Sequence, residues 1–215
     1  MQPQVNILSV NVGQPSDIRL GRYQATSGID KRAVQGRVQV GTLGLEGDHI
    51  VNKKHHGGPD QAVYLYSLED YDAFAEGLGE VPAPGSFGEN LTISGLESAG
   101  VRIGTRLSIG EVLLEITAPR IPCGTLAAHI GDAGFVKVFR QRRRPGLYAR
   151  VLHTGTVGAD DPVSVQHGPD TAPTVLEEFE LYYTVSPSRE ELERALAAPI
   201  ALRARKEYLE RLGKM

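Results

Sequence analysis

The sequence predicts a mostly β fold with helices (α+β), in which a barrel-like β domain over residues 1–170 is followed by a helical C-terminal extension over 171–215. Three observations carry this prediction. Short runs of alternating or β-branched apolar residues recur between Val5 and Gln166, each bounded by turn formers. The 25 glycines and 13 prolines are scattered rather than clustered, as many turns between short strands require. From Thr174 onward, apolar residues recur at helical spacing among charges, the pattern of amphipathic helices.

Taken in order, Val5 to Val12 alternates as a first strand and Ile18 to Tyr23 as a second, with the turn formers Gly13, Pro15, Ser16 and Asp17 between them. Val34 to Val40 is a third strand candidate, and Leu43-Gly-Leu-Glu-Gly-Asp48 a turn-rich link. Ala62 to Tyr66 reads as a short strand. Ser67 and Asp70 then form a start signal for a helix that turns Leu68, Tyr71, Phe74 and Ala75 inward and ends near Gly77. Leu91 to Ile93 is a strand; Thr105 to Ile109 and Val112 to Thr117 flank Gly110-Glu111 as a hairpin. Two short helical stretches reach Phe139, and Leu147 to His153 and Pro162 to Gln166 read as closing strands. In the tail, Leu176, Phe179, Tyr183, Leu192, Leu196, Leu202, Tyr208, Leu209 and Leu212 mark two or three helices, one of them opened by a capping box from Ser188 to Glu191. Their pattern allows packing on the barrel, dimerisation or a cover over a site.

Chemistry points first to Ala118-Pro-Arg-Ile-Pro-Cys-Gly-Thr125, which holds the only cysteine of the chain, Cys123. Pro119 and Pro122 stop the preceding strand from continuing its ladder, so Cys123 is thrown off a strand end and into a helix start. A thiol at a helix N-terminus beside Arg120 has two reasons to ionise. The thiolate would serve as nucleophile, redox centre or soft metal ligand; the plain alternative is a buried small apolar side chain.

Other clusters are less specific. Thr26-Ser-Gly-Ile-Asp-Lys31 offers two hydroxyls, a glycine and a lysine to an oxyanion, or is an exposed loop. Lys53-Lys-His-His-Gly-Gly-Pro-Asp-Gln-Ala62 turns sharply and brings one imidazole and Asp60 to a ligand's edge, or is a solvated basic turn. Adjacent His55 and His56 match no zinc spacing. Asn90 either contacts a ligand or holds its turn. Arg140, Arg142, Arg143 and Arg144 concentrate positive charge and would suit a bidentate grip on phosphate or pterin oxygens. A solvated surface run and a small nucleic-acid patch are the alternatives, the second without the interleaved aromatic residues that such patches use.

A net charge of −3 spread along 215 residues gives no reason to expect bulk binding of nucleic acid or of an anionic membrane. A single cysteine makes no internal disulfide, and neither an apolar leader nor a long uncharged apolar run is evident. A cytoplasmic protein is expected.

Lys31, Gly44-Leu-Glu-Gly-Asp48, His55-His-Gly-Gly-Pro-Asp-Gln-Ala-Val63, Phe87-Gly-Glu-Asn-Leu91, Pro119-Arg-Ile-Pro-Cys123 and Arg144-Pro-Gly-Leu-Tyr-Ala-Arg-Val151 together resemble the MOSC domain, named after the C-terminal part of molybdenum cofactor sulfurases, and within it the stand-alone bacterial YiiM-like branch. The likeness runs in order over residues 5–168; the tail is a looser counterpart of that branch's three-helix C-terminal domain, and Gly124-Thr125 follows the cysteine where the branch often has other residues. The resemblance implies a MOSC-type β-barrel whose cleft holds the molybdenum–pterin cofactor (molybdopterin), with the metal on Cys123. Pyridoxal phosphate is not expected in this isolated domain.

The branch further implies reduction of N-hydroxylated compounds, notably hydroxylaminopurine bases, in detoxification. On that reading Cys123, His56 and Asp60 are catalytic, with His56 or Asp60 the proton donor, and Lys31, His55, Asn90, Arg120, Arg140 and Arg144 bind the cofactor. No flavin or iron–sulfur signature is present, so a separate electron-donating reductase protein is an expected partner, with a homodimer also open. The alternative is a cofactor carrier or sulfur-transfer module in which Cys123 carries a persulfide or docks the pterin without reductase activity. A third reading is an interaction domain without chemistry.

Overall fold

Strand β1 (Val5–Gly13) is the member around which the rest of the sheet closes. The computed structural model describes residues 4–53, 56–78 and 81–215. After β1 come the hairpin β2 (Ser16–Leu20) and β3 (Tyr23–Ser27), then β4 (Lys31–Ala33), β5 (Val38–Gly41), β6 (Gly44–Leu45) and β7 (Val63–Ser67). Helix α1 (Leu68–Leu78) leads to β8 (Leu91–Ser94), β9 (Arg106–Ile109) and β10 (Val112–Ala118). Helices α2 (Gly124–Ile130) and α3 (Phe135–Arg142) precede β11 (Leu147–His153), β12 (Gly155–Val157) and β13 (Pro162–Gln166). The tail forms α4 (Val175–Tyr183), α5 (Arg189–Ala197) and α6 (Leu202–Leu212).

The main sheet runs β13-β9-β10-β11-β7-β8-β1, and β13 pairs again with β1, closing a seven-stranded barrel. Closure removes the free edges that an open sheet would leave unpaired. All of these pairs are antiparallel except β7–β8, which is parallel and is joined through α1. β4 adds to the end of β1, with Gly13 opposite Lys31. This topology fixes one mouth of the barrel, because the ends of β1 and β10 meet there with the starts of β4, β7, β8 and β11.

Two predicted strands are corrected. Ile18 to Tyr23 is not one strand: the chain reverses after Leu20, where Gly21 has φ +61°, and Ile18 pairs with Ala25 across the hairpin. Of Val34 to Val40 only the last three residues lie in a strand, β5; β4 ends at Ala33, and Gly36 at φ +80° stands between the two, a backbone region that interrupts a ladder. In α1, Tyr71 and Phe74 are buried as expected, but Leu68 is 41% exposed. Ser67 Oγ accepts from the Asp70 N–H at 3.0 Å. The Asp70 carboxylate accepts from the Ser98 N–H inside the fold.

The three tail helices pack on the barrel. Val175, Leu181, Leu192, Ala195, Ile200 and Tyr208 join Ile7, Leu114 and Ile116 in one hydrophobic core. Ser188 and Glu191 form the expected capping box, and Thr174 with Glu177 forms another at the start of α4. Leu202 and Leu209 depart from the inward reading and are each 54% exposed. A second core of aromatic residues, including Tyr66, Tyr71, Phe74, Phe87, Phe135 and Phe139, fills the space between α1, α3 and the barrel. At its edge, buried Glu89 accepts from Tyr71 Oη at 2.6 Å, the Gly85 N–H at 2.6 Å and Thr92 Oγ1 at 2.8 Å. That network shapes the turn that delivers Asn90 to the barrel mouth. Among the described residues, no helix is long and apolar enough to cross a membrane.

Candidate active site

At this mouth Cys123 is the N-cap of α2, with extended backbone at φ −133° and ψ 171°. The proline-bounded segment after β10 carries it there, as the sequence predicts. Its thiol is half-buried, and Sγ lies 3.8 Å from Nε2 of His56. Burial pushes the thiol up, but the hydrogen bond from His56 and the charge of Arg120 outweigh it and bring the pKa down to about 6. Cys123 is therefore largely thiolate at neutral pH.

Cys123 and His56 border a cleft of ≈ 130 Å³ whose wall also includes Ser27, Lys31, Asn90 and Arg120. The β2–β3 hairpin covers one side through Ile18, Leu20 and Ala25. Thr26, Ser27, Gly28, Ile29 and Lys31, the predicted oxyanion loop, all face the cleft. Gly28 is required by close packing: a Cβ there would lie 1.9 Å from the backbone oxygen of His49.

Lys31 is 9% exposed, and its ammonium is paired with Asp48 Oδ1. Burial lowers its pKa from the ordinary lysine value, with Asp48 opposing and Arg120 adding to the fall. Asp48 also accepts from the Gly13 N–H at 2.8 Å and, through Oδ2, from Asn90 Nδ2 at 2.9 Å. Asn90 Oδ1 accepts from the Tyr64 N–H at 3.1 Å. Asn90 thus borders the cleft and holds its turn at the same time. Asp48 links these groups; it lies within a motif visible in the sequence, but no separate signal marks its role.

Arg120 is 5% exposed and lies over the Tyr64 ring, its guanidinium carbon 5.0 Å from the centroid. Its Nε is buried without a hydrogen-bond partner. A buried guanidinium with an unused donor, a buried ammonium, hydroxyls at Thr26 and Ser27 and a thiolate form a donor set suited to a polyanionic group carrying a soft metal. These residues fit a phosphate-bearing molybdenum–pterin cofactor. Among the described residues, no cluster of three His, Cys, Asp or Glu side chains is arranged to hold a metal ion.

Three predicted residues fall elsewhere, and these placements are corrections. Asp60 Oδ1 lies 3.2 Å from Arg150 Nη2, and Oδ2 accepts from the Leu202 N–H at 2.7 Å; it anchors the first turn of α6 and borders neither the cleft nor the cavity beside Cys123. Arg140 stacks on Tyr183, 4.0 Å from the ring centroid. Arg144 reaches Glu97 at 3.2 Å and buried Asp70 at 3.7 Å. Together with the Arg143–Glu180 pair at 2.7 Å, the arginine run serves packing between α3, α4 and the barrel. Arg143 and Arg144 are paired with carboxylates of the fold and Arg140 is stacked on a ring, and none of Arg140, Arg143 and Arg144 borders the cleft. His55 lies outside the described residues.

Residues 52–164 match the family described as the MOSC domain, and MOSC domains are associated with molybdenum cofactor binding in general. The chain is similar to the protein YiiM of Escherichia coli (strain K12), 35% identical over 160 residues that cover 70% of this chain and 71% of that protein. It is 32% identical over 170 residues to a protein named reductase from Gibberella moniliformis, covering 76% of this chain but 29% of that longer protein. The crystal structure of YiiM from Geobacillus stearothermophilus superposes with a TM-score of 0.80 at 27% identity, over 97% of this chain and 99% of that one.

Proposed function

The chain belongs to the MOSC domain family, and from that premise we propose that it binds the molybdenum cofactor through Cys123 and reduces N-hydroxylated compounds, such as hydroxylaminopurine bases, to the corresponding amines. The observation that carries this reading is the Cys123 thiol, brought to about pKa 6 in the wall of a cleft shared with Lys31 and Arg120. The likeness to YiiM and to a protein named reductase supports a redox role.

When bound, the cofactor supplies the two-electron chemistry that turns an N–OH group and two protons into N–H and water. The chain's own residues supply the setting. Cys123 offers a thiolate without a prior deprotonation step. Arg120 neutralises anionic oxygens, with Lys31 beside it already paired to Asp48, and the Tyr64 ring beneath Arg120 keeps that guanidinium in place. His56 stands beside the sulfur with a ring nitrogen able to carry a proton to the departing oxygen. Asp60 is held by Arg150 and the Leu202 N–H and takes no part. The two electrons come from a separate reductase protein.

The test is turnover. Protein purified from a host that makes the pterin, given a chemical reductant and 6-hydroxylaminopurine, should release adenine. Bound cofactor without turnover would favour the carrier or sulfur-transfer reading. Wild type and Cys123→Ser alike in lacking cofactor would leave only an interaction domain.

A further inference from the structure

Tyr64, Tyr66, Tyr71, Tyr148 and Tyr208 are buried, and all but one spend the hydroxyl inside the fold. Tyr64 Oη donates to the Pro145 carbonyl at 3.0 Å, Tyr66 Oη to the Arg144 carbonyl at 2.8 Å, Tyr71 Oη to Glu89 at 2.6 Å and Tyr208 Oη to Glu178 at 2.9 Å. Tyr148 is the exception. Among the described residues its hydroxyl donates to no acceptor, and its oxygen is not one of the sealed side-chain atoms left without a partner. The hydroxyl therefore opens on the spaces that the residue borders. These are the cleft and a second cavity of ≈ 300 Å³ beside it; Tyr148 borders both, together with Cys123 and His56.

Strand β11 holds the residue in place. Tyr148 pairs with Ala118 on one side and with Tyr64 on the other, its ring centroid lies 4.8 Å from that of Tyr64, and its carbonyl accepts from Thr117 Oγ1 at 3.3 Å. None of these contacts uses the hydroxyl, and a phenylalanine ring would keep them all. Packing gives no reason for a phenol here. Burial raises the phenol above the ordinary tyrosine value, Arg120 opposes that rise and Cys123 adds to it. At neutral pH Tyr148 is thus an O–H donor with its proton unspent, beside the thiolate.

We infer that Tyr148 is a further catalytic residue of the proposed reduction, its hydroxyl donating a hydrogen bond to the oxygen that leaves the N–OH group while His56 protonates that oxygen. This assignment rests on the proposed reductase reading and adds a residue to it. In the balanced reaction, N–OH, two electrons from the reductase protein and two protons give N–H and water. The leaving oxygen keeps its hydrogen and takes one proton through His56; the nitrogen takes the other from solvent. Negative charge gathers on the oxygen as the N–O bond breaks, and a donor fixed in advance at that point lowers the barrier. Tyr148 keeps its own proton throughout.

The experiment compares wild type, Tyr148→Phe and Tyr66→Phe, all purified from a host that makes the pterin. Tyr66→Phe removes a buried hydroxyl away from the cleft and is the control. With 6-hydroxylaminopurine and a chemical reductant, Tyr148→Phe should lower kcat about a hundredfold, as loss of one such donor does, and raise KM by no more than about fivefold. Tyr66→Phe should keep the wild-type rate. Urea titration should order the variants the other way: Tyr148→Phe as stable as wild type and Tyr66→Phe less stable, since only Tyr66 gives up a hydrogen bond within the fold. Molybdenum content should be equal in all three. An unchanged kcat in Tyr148→Phe, a loss of stability matching that of Tyr66→Phe, or lost molybdenum would overturn the inference.

Calorimetric titration without reductant separates this assignment from the reading beneath it. Wild type should bind 6-hydroxylaminopurine about fivefold more tightly than adenine, which lacks the oxygen, and Tyr148→Phe should lose most of that margin. No margin in wild type, or the same margin in Tyr148→Phe, counts against Tyr148. The margin and its loss in protein that never turns over would sink the reductase reading and leave Tyr148 as the group that contacts the N–O oxygen. Turnover at one rate in wild type and Tyr148→Phe would keep the reading and remove Tyr148 from it.

Discussion

The sulfur of Cys123 and Nε2 of His56 stand 3.8 Å apart although 67 residues separate them in the chain. The pair joins the turn before β7 to the segment after β10 at one mouth of the barrel. Ionisation of that sulfur is the first consequence open to measurement. Alkylation of Cys123 by iodoacetamide should follow a titration with its midpoint near pH 6, where burial is outweighed by His56 and Arg120. His56→Asn and Arg120→Met should each move the midpoint upward, by about one unit or more for the histidine and by less for the arginine. Because the folded-state pKa is depressed, the thiolate adds stability that is complete above the ordinary thiol value of 9.0 and is lost as pH falls through about 6.

Asp60 should behave as a structural residue. Its carboxylate accepts from the Leu202 N–H at the start of α6 and pairs with Arg150. Asp60→Ala should therefore lower stability by about 1–2 kcal/mol in denaturant titration, as the loss of a helix cap does. The pH profile of catalysis should keep its shape, since no transferred proton is assigned to Asp60.

Arg144 should matter for folding and not for the cofactor. Asp70, fully buried beside it, already has its carboxyl raised to about 6 by burial, against the opposing effects of Ser98, Ser67 and Arg144. Arg144→Ala raises it further. A raised carboxyl holds its proton longer in the folded state, so stability declines as pH rises through that range. The variant should lose on the order of 1–3 kcal/mol at pH 8 and distinctly less at pH 5, with molybdenum content unchanged.

Glu178→Gln offers a complementary check. The Glu178 carboxyl is raised from 4.5 to about 7 by burial, so the same sign applies: its contribution is most favourable below pH 4.5 and weakens until about pH 7. Glutamine does not titrate. Thermal melts should show the variant gaining on wild type between pH 5 and pH 8, with a shallower slope against pH. Equal slopes would mean that Glu178 is ionised in the folded protein.

Much of this architecture is legible in the sequence where local chemistry decides it. The prolines at 119 and 122 end a ladder wherever they stand, so the delivery of Cys123 off the strand end follows from its neighbours. The hairpin around Gly110 and the capping box at Ser188 are equally local. The arginine run is different. Its pattern is the same whether it grips a phosphate or pairs with Asp70, Glu97, Glu180 and Tyr183, and those partners arrive from distant segments. Asp60 offers the same ambiguity, resolved only when α6 folds back to place Leu202 against it. Glu178 leaves no trace in the helical spacing of the tail, because a single carboxyl on an apolar face becomes exceptional only once the barrel covers it. The resemblance to MOSC domains supplied what spacing alone did not, the grouping of Lys31, Asn90, Arg120 and Cys123 around one cleft.

The most direct test is the molybdenum content of wild-type protein and Cys123→Ser, purified side by side from a host that makes the pterin. With one thiolate available to hold the metal, wild type should approach one molybdenum per chain and the serine variant should retain about tenfold less or lower, with its fold intact by circular dichroism. Equal molybdenum in the two proteins would contradict the assignment of Cys123 as the metal ligand, and with it the proposed function.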